Sequence, residues 1–409
     1  MTGPITLGTL RTSLVLGFRL LVQAATLIIV ARMLGPEQFG IFAGVASLGL
    51  ILGTLSSFGT HLLMLGEASK NPGHRDVVLP YAIPLTLIGG SACFLIFLLV
   101  SAGTAHEHGV TLWVLLAIGI AEIVLQPFFG LMAVEHHALG FVARAQSLQL
   151  APIGLRLMMA ILVLILAPLN PLELYASMYL AASLLTLALG RALLPAPWPR
   201  WQRWRLPRQP EWRKASGYAA LSFTKVAPAE LDKALAIKLL PLDMASLYAA
   251  STRVVGAIIV PVTAMTLAAL PRLFRNDRAD VLRRRMFGAA LAYSVLLMAV
   301  MWCVAPIFNI IFGQGYHGVS ELIRYLCFAI PAMSLRMVSG NALMAAGFSW
   351  LRVGCEALGI AVLLFSSLLF VGKYGSAGIA FALILSEWSM ALSGILLLRK
   401  YRGTEVANR

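Results

Sequence analysis

Long apolar stretches recur along the whole chain, and they restrict its fold more than any other feature. The hydrocarbon core of a bilayer is about 30 Å thick, and a helix of about 20 residues crosses it. Turn-forming or charged residues separate windows of that length: 9–31, 40–65, 77–103, 110–131, 141–166, 172–194, 215–240, 245–271, 286–312, 319–346, 351–371 and 377–398. The sequence therefore predicts an all-α polytopic membrane protein with about 12 transmembrane helices.

Composition and charge agree with a chain that lies in lipid. Of 409 residues, 59% are hydrophobic and 12% are charged, whereas an ordinary soluble domain has about 25% charged residues. Lys and Arg are concentrated in the segments 191–214, 272–285 and 399–409, while the loops of the opposite face contain little more than Arg32 and Lys373. Because basic loops stay in the cytoplasm, both termini are predicted to be cytoplasmic.

A basic link, Pro195 to Lys214, divides the chain near its midpoint. It interleaves arginines and prolines with Trp198, Trp201 and Trp204. A basic aromatic segment could bind nucleic acid, but one this short, between two spans, is typical of the membrane interface, and no nucleic-acid partner is expected. The predicted organisation is a six-helix bundle, the cytoplasmic link, a second six-helix bundle and a cytoplasmic tail: 1–194, 195–214, 215–398 and 399–409.

The two halves resemble each other in sequence. The run from Arg32 to Ala43 is echoed about 206 residues later by the run from Lys238 to Ala249, and Gly140-Phe141 is echoed by Gly347-Phe348. Repeats with equal loop parity share one orientation and are related by an axis along the membrane normal. We therefore predict two pseudo-symmetric bundles with a substrate cavity between them and transport by alternating access.

Several basic residues lie inside predicted spans, where a charge costs at least about 2.5–3.5 kcal/mol unless it has a partner. Arg19 lies at the middle of the first span, and the repeat offset relates it to Lys225 in the seventh span. We predict a cationic, substrate-binding lumen formed by five residues: Arg19, Lys225, Lys233, Arg253 and Arg336. The alternative is that these cations pair with neighbouring carboxylates, as in Lys225–Asp232 or Lys233–Glu230, and only stabilise helix contacts.

Three acidic residues also lie inside predicted spans: Asp232, Glu122 and Glu387. Carboxylates inside spans can carry protons or cations in coupled transport, or they can be counter-ions of buried bases. The sequence leaves both roles open.

Motifs for other chemistry do not occur in the sequence. It contains no GxxxxGK[ST] phosphate loop, no HExxH or GxSxG motif and no Cys/His metal cluster. We therefore expect no catalytic residue, no metal site and no cofactor.

The run Ala31-Arg-Met-Leu-Gly-Pro-Glu-Gln-Phe-Gly-Ile-Phe42, after a span that carries Arg19, resembles the polysaccharide-export (Wzx-type) flippases of the MOP superfamily. The resemblance implies a MATE/MOP-like fold and a cation-lined lumen in which Arg19 and Lys225 match the family's basic residues. It implies a polyprenyl-diphosphate-linked oligosaccharide as substrate, moved from the cytoplasmic to the periplasmic leaflet of a bacterial inner membrane. The product would be a surface or exported polysaccharide, such as an O-antigen, lipopolysaccharide or exopolysaccharide, and polymerase and export proteins are candidate partners.

Two other functions compete with a flippase. A cation-coupled exporter of drugs or organic cations from the same superfamily should have a net acidic cavity, whereas this chain has more Lys and Arg than Asp and Glu among its intramembrane charges. A membrane glycan polymerase or glycosyltransferase should have a sizeable catalytic loop outside the bilayer, and no predicted loop exceeds about twenty residues. We predict a transporter rather than an enzyme.

Overall fold

Helices make up nearly all of the computed structural model, which describes residues 4–107, 109–139, 141–263, 265–266, 279–313 and 315–407. Within these ranges no residue is in a β-strand. Backbone N–H and C=O groups find no water in hydrocarbon, so apolar segments adopt helices, which satisfy those groups internally. The all-α prediction is confirmed.

The described residues of the first half form helices joined by short turns. Their bounds are α1 Pro4–Ser56, α2 Thr60–Lys70, α3 Arg75–Glu107, α4 Leu112–Gly119, α5 Gln126–Ala138, α6 Val142–Leu166 and α7 Pro171–Ala192. A 3₁₀ turn at Pro72–His74 precedes α3, and a π-helical turn at Ile120–Leu125 joins α4 to α5.

The second half follows a 3₁₀ turn at Trp201–Arg203. Its described helices are α8 Gln209–Leu239, α9 Leu242–Ile258, α10 Ala279–Phe312, α11 Val319–Leu326, α12 Ala329–Ala345 and α13 Ser349–Ala407. Of the predicted loop 272–285, residues 272–278 lie outside the described residues, and residues 279–285 form the start of α10.

Two glycines divide the longest helices. Gly35 in α1 has φ 71° and ψ 175°, and Gly375 in α13 has φ 55° and ψ −131°. Side chains with a Cβ rarely adopt such backbone angles, so glycine is the residue that suits a reversal there. Because of these breaks, α1 holds the first predicted window and most of the second, which ends in α2, and α13 holds the last two.

The other windows also coincide with helices. By length and composition, seven helices in the described ranges could cross a membrane, or eight if α11 and α12, which meet at 44°, form one broken span. Two of the seven contain Gly35 or Gly375 and so hold all or most of two windows each. The seventh window falls on the more polar α8. The eighth, 245–271, begins on α9, and its end lies partly outside the described residues. The predicted arrangement of about twelve helices is confirmed.

Large apolar side chains cover much of the outside of these helices. Leu99 of α3, Ile165 of α6, Ile310 of α10 and Leu368 of α13 are all exposed by more than two thirds. Apolar surface of this extent is unfavourable in water but favourable against lipid tails. The exposed residues therefore identify the lipid-facing sides of the helices.

The internal repeat is visible in the helices themselves. The span Leu112–Ala138 and the bent helix pair Val319–Ala345 begin 207 residues apart and end 207 residues apart. After its first eight residues, the former enters the π-helical turn and the latter reaches a bend of 44°. Both end in the same turn, because the N–H of Phe141 donates to the carbonyl of His136 and the N–H of Phe348 to that of Leu343, each at 2.9 Å. This six-to-one bond is typical of helix C-termini. The sequence echo therefore corresponds to a repeated structural unit.

The chain folds as two compact units, Met1–Ala234 and Leu235–Arg409. The division falls inside α8, so the link and most of α8 belong to the N-terminal unit. The predicted bounds 1–194, 195–214, 215–398 and 399–409 stay a prediction.

Candidate functional site

Arg19 lies half-buried on α1 and has a neutral partner. Its Nη1 donates to Oε1 of Gln149 on α6 at 3.4 Å. No carboxylate forms an ion pair with Arg19 within the described ranges. A guanidinium held only by a long hydrogen bond to an amide keeps most of its capacity to bind an anion.

Lys225 belongs to α8, but its side chain lies outside the described residues. Its predicted role as the second substrate-binding cation therefore stays a prediction. Arg253 lies half-buried on α9 in the C-terminal unit.

A second group of charges surrounds Lys233 on α8. The buried ammonium lies 3.1 Å from Oδ1 of Asp232 and 3.6 Å from Oε2 of Glu230, and it also donates to the carbonyl of Ala229. Glu230 in turn accepts a hydrogen bond from Oγ of Ser47 on α1 at 2.8 Å. Lys233 is thus balanced by carboxylates, and the cluster as a whole is not basic.

Glu122 lies in the π-helical turn and is buried against α6 and α7. Nη1 of Arg156 lies 2.9 Å from its Oε1, and the hydroxyl of Tyr179 donates to the same oxygen. The Arg156 guanidinium also lies over the Tyr179 ring, 4.0 Å from the centroid. Glu122, Arg156 and Tyr179 form what we call the Glu122 cluster, in which the carboxylate is neutralised.

Glycines on α1 allow the Glu122 cluster to lie where it does. A Cβ at Gly53 would overlap the carbonyl oxygen of Glu122, and one at Gly49 would lie 3.1 Å from the Glu122 Cβ. The α1 backbone therefore packs directly against the π-helical turn. π-helical turns inside α-helices occur frequently at functional sites, because they redirect side chains.

Arg336 of α12, in the C-terminal unit, lies between two carboxylates. Its Nε lies 2.7 Å from Oε2 of Glu387 and its Nη1 lies 2.8 Å from Oε2 of Glu356. Arg352 is 3.9 Å from the other oxygen of Glu356. The structure thus brings together two predicted site residues, Arg336 and Glu387, as an ion pair.

Three of the five predicted lumen cations differ in the partners that the structure gives them. Lys233 and Arg336 have carboxylate partners within their own units, whereas Arg19 has an amide partner. The sequence did not identify Arg156 and Tyr179 as partners of Glu122. An intramembrane arginine was the available signal for Arg156, but nothing in the sequence tells which helix it faces.

Solved structures define the class of protein to which this fold belongs. A multidrug resistance transporter of the MATE family, MOP superfamily, in an inward-facing conformation is similar with a TM-score of 0.75 and 15% identity, over 94% of this chain and 95% of that one. Lipid II flippase MurJ in an inward closed conformation has a TM-score of 0.71 and 12% identity, over 95% and 87%. A MOP superfamily transporter from Pyrococcus furiosus has a TM-score of 0.64 and 14% identity, over 96% and 94%. The chain shares the fold of these three proteins.

The family follows from the sequence of the first two thirds of the chain. Residues 5–276 match the family of polysaccharide biosynthesis proteins, and the chain belongs to that family. No curated protein sequence matches it. The predicted family resemblance is confirmed, and the chain is a multi-pass membrane protein with the fold of these transporters.

Proposed function

We propose that this protein flips a polyprenyl-diphosphate-linked oligosaccharide from the cytoplasmic to the periplasmic leaflet of the inner membrane, by alternating access, for a surface or exported polysaccharide. Family membership supports the glycan class, and Arg19 supports an anionic substrate. A diphosphate carries charge that a guanidinium binds through two parallel hydrogen bonds. The polyprenyl tail can stay in lipid, while the hydrophilic glycan requires a polar path.

The single observation that carries the proposal is that Arg19 has no carboxylate partner within the described ranges. A basic residue inside a span is retained at a cost unless it is neutralised or binds a ligand. Arg19 lacks an ion-pair partner in the described ranges, in contrast to Lys233 and Arg336. We therefore assign Arg19 to the substrate diphosphate and, by the repeat offset, Lys225 as a second ligand. Both residues belong to the N-terminal unit.

The carboxylates argue against an exporter of organic cations. Such a transporter needs an acidic group free to bind a cation, yet Glu122, Asp232 and Glu387 each lie next to a base. We infer that these three residues serve as counter-ions rather than as coupling sites.

Complementation of a deletion strain tests the proposal. We expect the deletion to abolish the polysaccharide and to accumulate its lipid-linked precursor inside the cell. Arg19→Ala should restore membrane protein but little export, and Arg19→Lys should restore part of it, because a point charge attracts phosphate without the bidentate fork. Arg144→Ala removes an exposed charge from the same unit and should export normally.

Three results would contradict this. Normal export by Arg19→Ala at wild-type protein level would remove Arg19 from the site. A strain that never makes the precursor would favour a membrane enzyme. For Lys225, full export by the Lys225→Ala/Asp232→Ala double variant would show that Lys225 only neutralises Asp232.

A further inference from the structure

The basic link is fastened to the N-terminal unit by a buried ion pair. Arg75, the first residue of α3, binds Glu135 in the last turn of α5, and their side chains are 9% and 0% exposed. Nη2 of Arg75 donates to the backbone carbonyl of Ala196 at 2.7 Å, and Nε1 of Trp198 donates to Oε2 of Glu135 at 2.9 Å. The start of the link is thus bonded to both members of the pair.

A second attachment holds the link further along. The N–H of Arg205 donates to the carbonyl of Pro80 at 3.0 Å, and its guanidinium lies 4.9 Å from the centroid of the Tyr81 ring. The same guanidinium binds both oxygens of Glu211 at 2.7 Å. These hydrogen bonds hold the pKa of Glu211 below its usual range, so the carboxylate is ionised at neutral pH. Five prolines in the link restrict its backbone further.

Between the two attachments the link presents charged and aromatic side chains. Arg200, Arg203 and Arg208 are exposed, as are Trp201, at 74%, and Trp204. The 3₁₀ turn Trp201–Arg203 lies between Arg200 and Trp204, and Nε1 of Trp204 donates to the carbonyl of Pro199 at 3.2 Å. No acidic side chain pairs with Arg200 or Arg203 among the residues described, whereas Arg205 is already neutralised by Glu211.

The attachments place this surface at the end of the membrane spans. Arg75 and Glu135 lie at the ends of the candidate spans Arg75–Gly103 and Leu112–Ala138. Where spans leave the hydrocarbon, tryptophan occupies the headgroup region and arginine binds lipid phosphate. A rigid segment with both residue types at this level is complementary to an anionic lipid headgroup.

We propose that the link is a fixed binding site for anionic phospholipid, built from Arg200 and Arg203 with Trp201 and Trp204, and held in place by the Arg75–Glu135 pair. The site is independent of the substrate diphosphate and does not rest on the proposed function. The occupant is a phosphatidylglycerol-type headgroup of the leaflet at that end of the spans.

Lipid selectivity of the full-length purified protein tests the site. Reconstituted in phosphatidylcholine vesicles with a minor fraction of phosphatidylglycerol, the wild type should bind phosphatidylglycerol preferentially, measured by quenching of protein tryptophan by brominated phosphatidylglycerol against brominated phosphatidylcholine. Arg200→Ala/Arg203→Ala should reduce that preference on the order of tenfold, since each base near the surface contributes to anionic lipid binding. Arg284→Ala/Arg285→Ala removes two exposed charges from α10 and should retain most of the preference.

Further variants separate the site from diffuse charge. Trp201→Ala should lower the quenching by brominated phosphatidylglycerol, whereas Trp350→Ala, at a residue that is 70% exposed on α13, should leave the difference between the two lipids unchanged. Equal losses from the two double-arginine variants, or an unchanged preference in Arg200→Ala/Arg203→Ala, would overturn the proposal. Displacement of the lipid by a short oligonucleotide at physiological salt would also overturn it, in favour of nucleic acid.

Discussion

Arg156 and Glu122 show how intramembrane charges are kept in this protein. Glu122 is buried and the Arg156 side chain is 15% exposed. They form an ion pair at 2.9 Å, and Tyr179 donates a hydrogen bond to the same carboxylate. A buried pair contributes little net stability compared with apolar residues of the same size, but loss of one partner leaves an uncompensated charge. The pair is therefore more sensitive to single than to double substitution.

This asymmetry gives a prediction for the pair. Glu122→Gln should destabilise the protein by about 3–5 kcal/mol, because Arg156 then has no counter-ion. Glu122→Gln/Arg156→Gln should recover most of that loss, and Glu321→Gln, at an exposed carboxylate on α11, should have little effect. The melting temperature of the detergent-solubilised protein measures all three. A double variant as unstable as the single one would show that the pair is not the source of the effect.

The residue scale also shows the limit of sequence reasoning about the site. Glu356 follows Arg352 by one helical turn in the sequence, and the two side chains approach to 3.9 Å. The shorter contact, at 2.8 Å, comes from Arg336 on another helix. Contacts between residues one turn apart on one helix can be predicted from their spacing in the sequence. Contacts between side chains of separate helices depend on how the helices pack and rotate about their axes, and apolar periodicity does not define this.

At the scale of elements, the close approach of α1 to the π-helical turn depends on small residues. Helices in lipid associate through packing, and glycines let their backbones come together. Gly53 faces the Glu122 carbonyl directly, whereas a Cβ at Gly154 of α6 would meet no atom within 4 Å.

Substitution by alanine at these two glycines should therefore have opposite effects. Gly53→Ala should destabilise the protein by about 1–3 kcal/mol through overpacking, and Gly154→Ala should be neutral or stabilise it by about 0.5–1 kcal/mol, since alanine is the better helix former. Thermal unfolding in detergent compares them. Equal stability of the two variants would mean that α1 can shift away without cost.

The presence of the membrane helices was the most predictable part of this fold. An apolar window longer than the bilayer core has few alternatives to a helix, and Gly35-Pro36 and Gly372-Lys373 mark reversals that the structure places at Gly35 and Gly375. The π-helical turn at Ile120–Leu125 was not predicted, because its sequence has the same apolar composition as a regular helix.

At the scale of the whole molecule, topology is the property still to be measured. Basic residues predict both termini, the link and the 272–285 loop on the cytoplasmic side. In a variant without native cysteines, Gln202→Cys should label from the cytoplasm and Lys373→Cys from the periplasm, since both positions are exposed. Labelling of both from one side would contradict the orientation, and with it the direction proposed for flipping.

The ion pairs of Arg336 also bear on how the chain is made. Ribosomes deliver Arg336 to the membrane before Glu356 and Glu387 have been synthesised, so α12 enters the bilayer with its charge unneutralised, at a cost of about 2.5–3.5 kcal/mol. Stable residence of that helix therefore awaits the arrival of α13. We therefore expect a chain that ends between the two helices to be less stable in the membrane than the full chain, because Arg336 then lacks both carboxylate partners.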